Sequence, residues 1–445
     1  MESSTLSDFD FSRRDLLRSS AFLGGAAALS ALPFGSALAR AAKAAKIDGQ
    51  WPTVTALVDR YVAGRKISGM VVALGWGEKV PGFIGRGLEG FDDRDPAGPD
   101  SLFRAYSQTK PVTGMAAMIL IEQGKLKLDQ PIADFVPEFA NMKVAIDPDK
   151  GLESRPATQQ ITVRHLLTHT SGLGYAGIGK NKPIAKELAR LGLTPAIVSS
   201  QPIPGLSGGP AMPDPDEFLR RTATVPLCFE PGSAWRYSMA LDVLGLVIQR
   251  ASGAKTFAAF LQERMFDPLG MTNSMFLVPE AATARLATNY ALVAGSPFAI
   301  DKPASSIYRK PTPFAYGGAG LVTSPRDYDR FLAMIVNGGA HRGKRIMTAE
   351  TVALATSDLL PAGADSSGTW IAGNGFGAGG ISGKGKEAGL YGWAGAAGTV
   401  GYANTQLKLR TGLYTQYMPQ EALAILAEFP KAVGSDLVKQ GKVPA

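Results

Sequence analysis

The segment RAYSQTKPVTG, Arg104 to Gly114, sets Ser107 three residues before Lys110. On a helix, residues i and i+3 share a face, so the Lys110 amine can reach the Ser107 hydroxyl. A serine hydroxyl is a weak nucleophile until a neighbour takes its proton. A lysine does that only as the free amine, a form favoured by burial and by the positive end of a helix. Pro111 follows directly, and proline is tolerated only near a helix start, so the pair belongs in a first turn. The motif alone is weak. Ser252-Gly253-Ala254-Lys255 also fits it, although Gly253 there reads as the stop of the helix before it.

Other chemistries fit less well. A G-x-S-x-G occurs as GLSGG, Gly205 to Gly209, but it lies inside the Pro/Gly-rich stretch Ser199–Asp216. A nucleophile elbow needs a strand before its serine and a helix after it, so this reads as a loop serine. The chain has three histidines, His165, His169 and His341. The first two are spaced i, i+4 on a predicted helix, as zinc ligands can be, yet no glutamate stands between them and no cysteine or acid is placed nearby. They read as packing and capping residues. The acidic run FDDRDPAGPD, Phe91 to Asp100, invites a calcium loop, but Arg104 stands where a loop begun at Asp93 needs its glutamate. No metal and no cofactor are expected. Cys228 is the single cysteine, which excludes an intrachain disulfide, and its apolar setting VPLCFEPG marks it as a small core residue.

Two further stretches can complete a serine site. WRYSMALDVLGLVIQRASG sets Tyr237 just before a helix whose apolar face includes Leu241, Leu244 and Ile248. A phenol at that point can relay a proton between serine and leaving group, or share it with the lysine. YGWAGAAGT, Tyr391 to Thr399, reads as a strand edge of small residues. Opposite the serine, one of its backbone N–H groups and that of Ser107 would form a two-donor oxyanion hole.

These residues are far apart in sequence, so the elements around them must bring them together. Gly69 to Gly87 reads as a β-hairpin, and the SQTK segment opens a helix that Gly124 stops. From about Leu128 to Met271 the chain is mostly helical segments broken by loops. A helix over about Pro325–Val336 precedes strand-like runs from Gly389 to Pro419 and a last helix, QEALAILAEF. Strands at both ends around a helical middle predict an α/β fold with one sheet built from both chain ends. The expected boundaries are an α/β domain from 50–125 and 300–430, with a mostly helical domain from 126–299 inserted. A site would lie where the two meet.

Composition bounds the setting. The chain has 445 residues with a formal charge of +8, and its basic residues are scattered without interleaved aromatics, which excludes a nucleic-acid site. Residues 1–39 carry Arg13–Arg14, then a weakly apolar Gly/Ala-rich run, then small residues at Ala37 and Ala39. That order predicts a twin-arginine signal peptide whose apolar run is too short to span a bilayer. The mature chain is expected in the periplasm, with no integral membrane segment. Oligomeric state is not legible.

Ser107–Lys110, the YSM triplet at Tyr237 and the WAG triplet at Trp393, in that order, resemble the three boxes of the serine β-lactamase and penicillin-binding protein superfamily. The flanking stretches LFRAYSQTKPVTG, HLLTHTSGL, PGSAWRYSMALDVLG, PLGMTNSMF, GGAGLVTSP and YGWAGAAGT look like its class C branch, and most like the family VIII carboxylesterases. The resemblance spans about residues 52 to 430. It implies a β-lactamase/D,D-peptidase-like antiparallel sheet flanked by helices. It also implies a serine carboxylesterase acting on small neutral esters. Ser107 would be nucleophile, Lys110 and Tyr237 would move the proton, and the Ser107 and Ala396 N–H groups would form the oxyanion hole. Met239, Trp393 and Gly395 would line the substrate. Two departures from the lactamase pattern matter. Met239 replaces the asparagine of the second box, and Trp393 replaces the lysine of the third, removing a cation suited to a substrate carboxylate. Arg410-Thr411-Gly412 and Tyr402-Ala403-Asn404 imitate the missing boxes, and the first reads as a turn. The rival readings are a β-lactamase or D,D-peptidase, an acyltransferase using the same acyl-enzyme, and a non-catalytic envelope-binding protein.

Overall fold

The N-terminal hairpin forms as predicted in the computed structural model, which describes residues 46–176, 182–194, 199 and 210–444. The twin-arginine segment, the GLSGG serine and much of the Pro/Gly-rich stretch Ser199–Asp216 lie outside the described residues. Helix α1 (Pro52–Ala63) leads into β1 (Gly69–Trp76) and β2 (Gly82–Gly87), which pair antiparallel with Gly69 opposite Gly87. Gly69 to Gly75 are all buried, so β1 is covered on both faces. The later elements needed here are α2 (Thr109–Glu122), α3 (Ala240–Ser252) and α4 (Pro325–Val336). They are followed by β3 (Gly375–Phe376), β4 (Ile381–Ser382), β5 (Leu390–Gly395), β6 (Thr399–Asn404), β7 (Leu409–Tyr414) and α5 (Ile425–Lys439).

The seven strands form one antiparallel sheet in the order β3-β4-β5-β6-β7-β1-β2. The C-terminal meander therefore docks on the N-terminal hairpin through β7 and β1, with Val71 opposite Tyr414. This is the sheet built from both chain ends. Helix α1 packs on β1 and β2 beside α5, and Asp436 of α5 accepts from the Thr53 and Val54 N–H groups at the start of α1. Helix α4 packs across β1, β6 and β7.

From Trp51 onward the described chain is one compact unit. Its apolar core runs from Val71 and Ala73 on β1 through Met115 and Ile119 on α2 to Leu241, Leu244 and Ile248 on α3. Every residue of α2 from Thr109 to Leu120 is buried; its later turns are wholly apolar, and its polar residues Thr109, Lys110 and Thr113 find hydrogen-bond partners. That burial sets the surroundings of the Ser107–Lys110 pair. Cys228 is a buried free thiol, and Gly253 ends α3 in the left-handed conformation, both as expected.

Three readings need correction. The last helix is Ile425–Lys439 rather than 420–429: Gln420–Ala422 form a separate 3₁₀ turn, and the apolar stripe Ile425, Phe429, Val433 and Leu437 carries the packing beyond the expected end. Arg410-Thr411-Gly412 is not a turn but the middle of β7, since the buried Arg410 guanidinium meets Asp329 of α4 in two bonds of 2.8 and 3.0 Å. His165 and His169 do not share a helix. The helix over Val163–Leu167 ends before His169, whose φ is +56°.

Candidate active site

Ser107 lies in a single 3₁₀ turn, Tyr106–Gln108, that runs directly into α2. The turn is fixed on several sides. Ala105 donates its N–H to the Leu321 carbonyl at 2.9 Å, and its own carbonyl accepts from the Thr399 hydroxyl at 3.1 Å. Tyr106 takes a positive φ of +45°, a conformation side chains other than glycine seldom adopt, and its hydroxyl accepts from Asn289 at 3.0 Å. Just upstream, the fully buried Arg104 pairs with Asp301 and also donates to Gln416 and Ser306. A buried ion pair of this kind holds only when its remaining donors are also matched, and these are.

Ser107, Lys110 and Tyr237 meet here. The Lys110 amine donates to Ser107 Oγ at 3.2 Å and to the Gly318 carbonyl at 2.8 Å. The Tyr237 hydroxyl donates to the same Ser107 Oγ at 2.5 Å. Lys110 Nζ also stands 4.4 Å from the centroid of the Tyr237 ring. Ser107 is half-buried and Lys110 fully buried, so the serine keeps some exposure to solvent while the amine behind it has none.

The WAG triplet sits where a strand edge was expected. β5 pairs with β4 only through Tyr391 and Gly392, leaving Trp393 to Gly395 bonded on one side, to β6. Gly395 passes so close to the serine turn that a Cβ would stand 2.1 Å from the Ala105 carbonyl and 2.3 Å from Thr399 Oγ1. Its part is therefore to seat β5 against the turn rather than to offer a surface to substrate. Ala396, half-buried, is the first residue beyond the strand. Met239 was expected to line the substrate, but it is fully buried, with its sulfur 4.0 Å from the Thr222 hydroxyl. A thioether lacking polar hydrogens packs into this core more readily than the asparagine of the lactamase box could.

An aromatic shell surrounds Tyr237. Its ring stacks with Tyr175 at 5.8 Å and Trp393 at 6.0 Å, and it meets Trp370 at 5.1 Å. Trp370 is 61% exposed and forms the solvent-facing wall of the site. His169 packs 4.7 Å from the Tyr237 ring and accepts the Ser238 N–H on Nδ1 at 3.2 Å. Burial, and secondarily the Lys110 charge, hold this imidazole well below its ordinary pKa and so keep it neutral. His165 does cap its helix, exchanging bonds with Thr162. Sequence reasoning missed His169 as a brace for Tyr237, and it missed Tyr175 and Trp370 altogether. The HTSGL and SGTWIAG stretches carry no spacing that ties them to Tyr237; only the fold does. Among the described residues, no group of three or more metal-binding side chains is present and no helix is long and apolar enough to cross a membrane.

The chain matches the beta-lactamase family over residues 54–430. It belongs to that family. Protein Rv1367c of Mycobacterium tuberculosis is 33% identical over 315 residues, covering 71% of this chain and 72% of that protein. Esterase EstB of Burkholderia gladioli is 32% identical over 323 residues, covering 68% of this chain and 72% of the esterase. Among solved structures, EstCE1, described as a hydrolase with promiscuous acyltransferase activity, superposes with a TM-score of 0.69 at 25% identity, covering 88% of this chain and 99% of that one. The antiparallel sheet flanked by helices is thus the β-lactamase and penicillin-binding-protein fold. Its relatives place the chain among the serine ester hydrolases and acyltransferases of that fold.

Proposed function

We propose that the protein is an exported serine carboxylesterase that cleaves esters of small neutral acyl or alcohol groups through an acyl-enzyme on Ser107. The observation that carries this reading is the convergence of Tyr237 and Lys110 on one serine oxygen, at 2.5 and 3.2 Å. Ser107 Oγ attacks the ester carbonyl while its proton passes to the Tyr237–Lys110 pair. The carbonyl oxygen, now negative, is held by the Ser107 and Ala396 N–H groups, each such donor being worth roughly 3 to 4 kcal/mol. Collapse of this intermediate breaks the bond to the alcohol oxygen, which leaves with the proton from the pair. Water then repeats the sequence in reverse, and an alcohol in its place gives acyl transfer. Which member of the pair is base is a property of the coupled groups together.

Substrate class follows from the walls. Trp370 and Trp393 set apolar aromatic rings against Tyr237, and Trp393 stands where a lactamase of the class C pattern carries a lysine, so a neutral group is favoured over a carboxylate. The test compares p-nitrophenyl acetate, butyrate and octanoate with nitrocefin. Short esters are expected to turn over with a far higher kcat/KM than nitrocefin; the reverse order sinks the esterase reading. Export rests on residues 1–39 alone. Replacing Arg13 and Arg14 by Lys should leave the protein in the cytoplasmic fraction, and continued periplasmic recovery of both forms in a Tat-deficient host would overturn that route.

A further inference from the structure

Lys110 is not held by Ser107 alone. Its second acceptor, the Gly318 carbonyl at 2.8 Å, belongs to the glycine-rich stretch Tyr316–Gly320. The peptide joining Gly317 to Gly318 is gripped at both ends. The Gly317 carbonyl accepts from the Thr113 hydroxyl at 2.6 Å, and the Gly318 N–H donates to Asp242 Oδ1 at 2.8 Å. Thr113 stands three residues after Lys110 on α2, and Asp242 five residues after Tyr237 on α3. Both side chains are fully buried. The fit leaves no room for a side chain on the strand of backbone between them. A Cβ on Gly317 would stand 2.3 Å from the Leu241 carbonyl, and one on Gly318 would stand 2.5 Å from Asp242 Oδ2.

Asp242 is an unfavourable residue to bury here. Its Oδ2 makes no hydrogen bond, and burial pushes its carboxyl up to about 7 against the opposing pull of Lys110 and the Gly318 N–H. The other titratable groups facing it are the phenols of Tyr175 and Tyr316, both themselves buried. An apolar side chain would remove the burial penalty, but it could not accept the Gly318 N–H.

We propose that Thr113 and Asp242 are positioning residues: from two helices they clamp the Gly317–Gly318 peptide, and so fix the carbonyl that aims the Lys110 amine at Ser107. This rests on the reading of Ser107 and Lys110 as the reacting pair. Neither residue touches the serine oxygen, and both act through one backbone segment. The Gly318 carbonyl itself belongs to the next peptide, whose Ala319 N–H donates to the Tyr316 carbonyl at 3.3 Å, so the clamp acts by fixing the Gly318 Cα from which that carbonyl projects. Without it the carbonyl shifts and the long Lys110 side chain samples geometries that miss Ser107.

The test measures kcat and KM for p-nitrophenyl butyrate in Asp242→Ala, Asp242→Asn and Thr113→Val. Asp242→Asn keeps an oxygen for the Gly318 N–H, while Thr113→Val removes only the hydroxyl from the other end. Asp242→Ala and Thr113→Val are expected to lower kcat by about 10- to 100-fold, the scale of a small misplacement of a reacting group. KM should stay within about two-fold of wild type, and Asp242→Asn should keep kcat within about three-fold. Wild-type kcat in Thr113→Val, a loss in Asp242→Asn as deep as in Asp242→Ala, or a loss carried by KM would each overturn the proposal. If Asp242→Ala does not fold, the two near-isosteric variants decide it. A wild type without ester turnover refutes the function itself, whereas an active wild type matched by its variants refutes only the clamp.

Discussion

Ser107→Ala is expected to lower kcat/KM for p-nitrophenyl butyrate by roughly four orders of magnitude or more, the scale seen when a covalent nucleophile is removed. The reason is the absence of a substitute at that point. Tyr237 and Lys110 converge on the Ser107 oxygen, Ser238 is buried with its hydroxyl 3.1 Å from His169, and Cys228 is buried in the core. The structural change is small. Ser107 is half-buried, and Lys110 keeps its bond to Gly318 when the serine oxygen is gone. Loss of one hydrogen-bond acceptor should shift stability by about 1 kcal/mol, so Tm should move by only a few degrees. A fluorophosphonate probe followed by intact-mass measurement gives a second readout: one adduct on the wild type, none on the variant. Full activity in Ser107→Ala would mean the chemistry happens elsewhere, and the three-residue convergence would then be a buried polar network only.

How much of this was legible in the sequence depends on the range of the forces involved. The Gly69–Gly87 hairpin and the helix over Pro325–Val336 were readable because turn residues, caps and periodicity act within a few residues. Ser107 and Lys110 were readable because a helical turn brings i and i+3 together whatever the rest of the chain does. Met239 was misread because its burial is set by tertiary packing: it lies in the main apolar core, with its sulfur against Thr222 seventeen positions away in the chain. Gly395 was read as a substrate contact, yet it is explained by the approach of Ala105, which no local pattern announces. The histidines divide the same way. Packing and capping were both expected of them, and the capping bond between His165 and Thr162 is local, whereas the ring on which His169 packs, Tyr237, is set by tertiary structure and no local pattern names it. Arg410 shows the opposite error: a strand carrying a charged residue looked like a turn until Asp329 supplied the partner.

Tyr237→Phe and Lys110→Met should each lower kcat/KM by roughly 10²- to 10⁴-fold, the usual worth of a positioned proton-transfer group. The two substitutions perturb the fold differently. Phenylalanine keeps the stacks with Tyr175 and Trp393 and removes only the hydroxyl, so stability should fall by about 1 kcal/mol or less. Methionine keeps most of the buried volume of Lys110 but leaves the Gly318 carbonyl without its side-chain donor, which costs about 1 to 3 kcal/mol. The informative variant is the double one. Lys110 and Tyr237 share a single acceptor, Ser107 Oγ, and the amine lies 4.4 Å from the phenol ring, so one proton relay needs both. Once either is gone the relay is broken, and the double variant should be no more than about three-fold slower than the worse single one. Independent roles predict instead that the two losses multiply. A double variant slower than the worse single by the full factor of the other would separate the residues: one would hold the proton, and the other would act only through its charge or its packing.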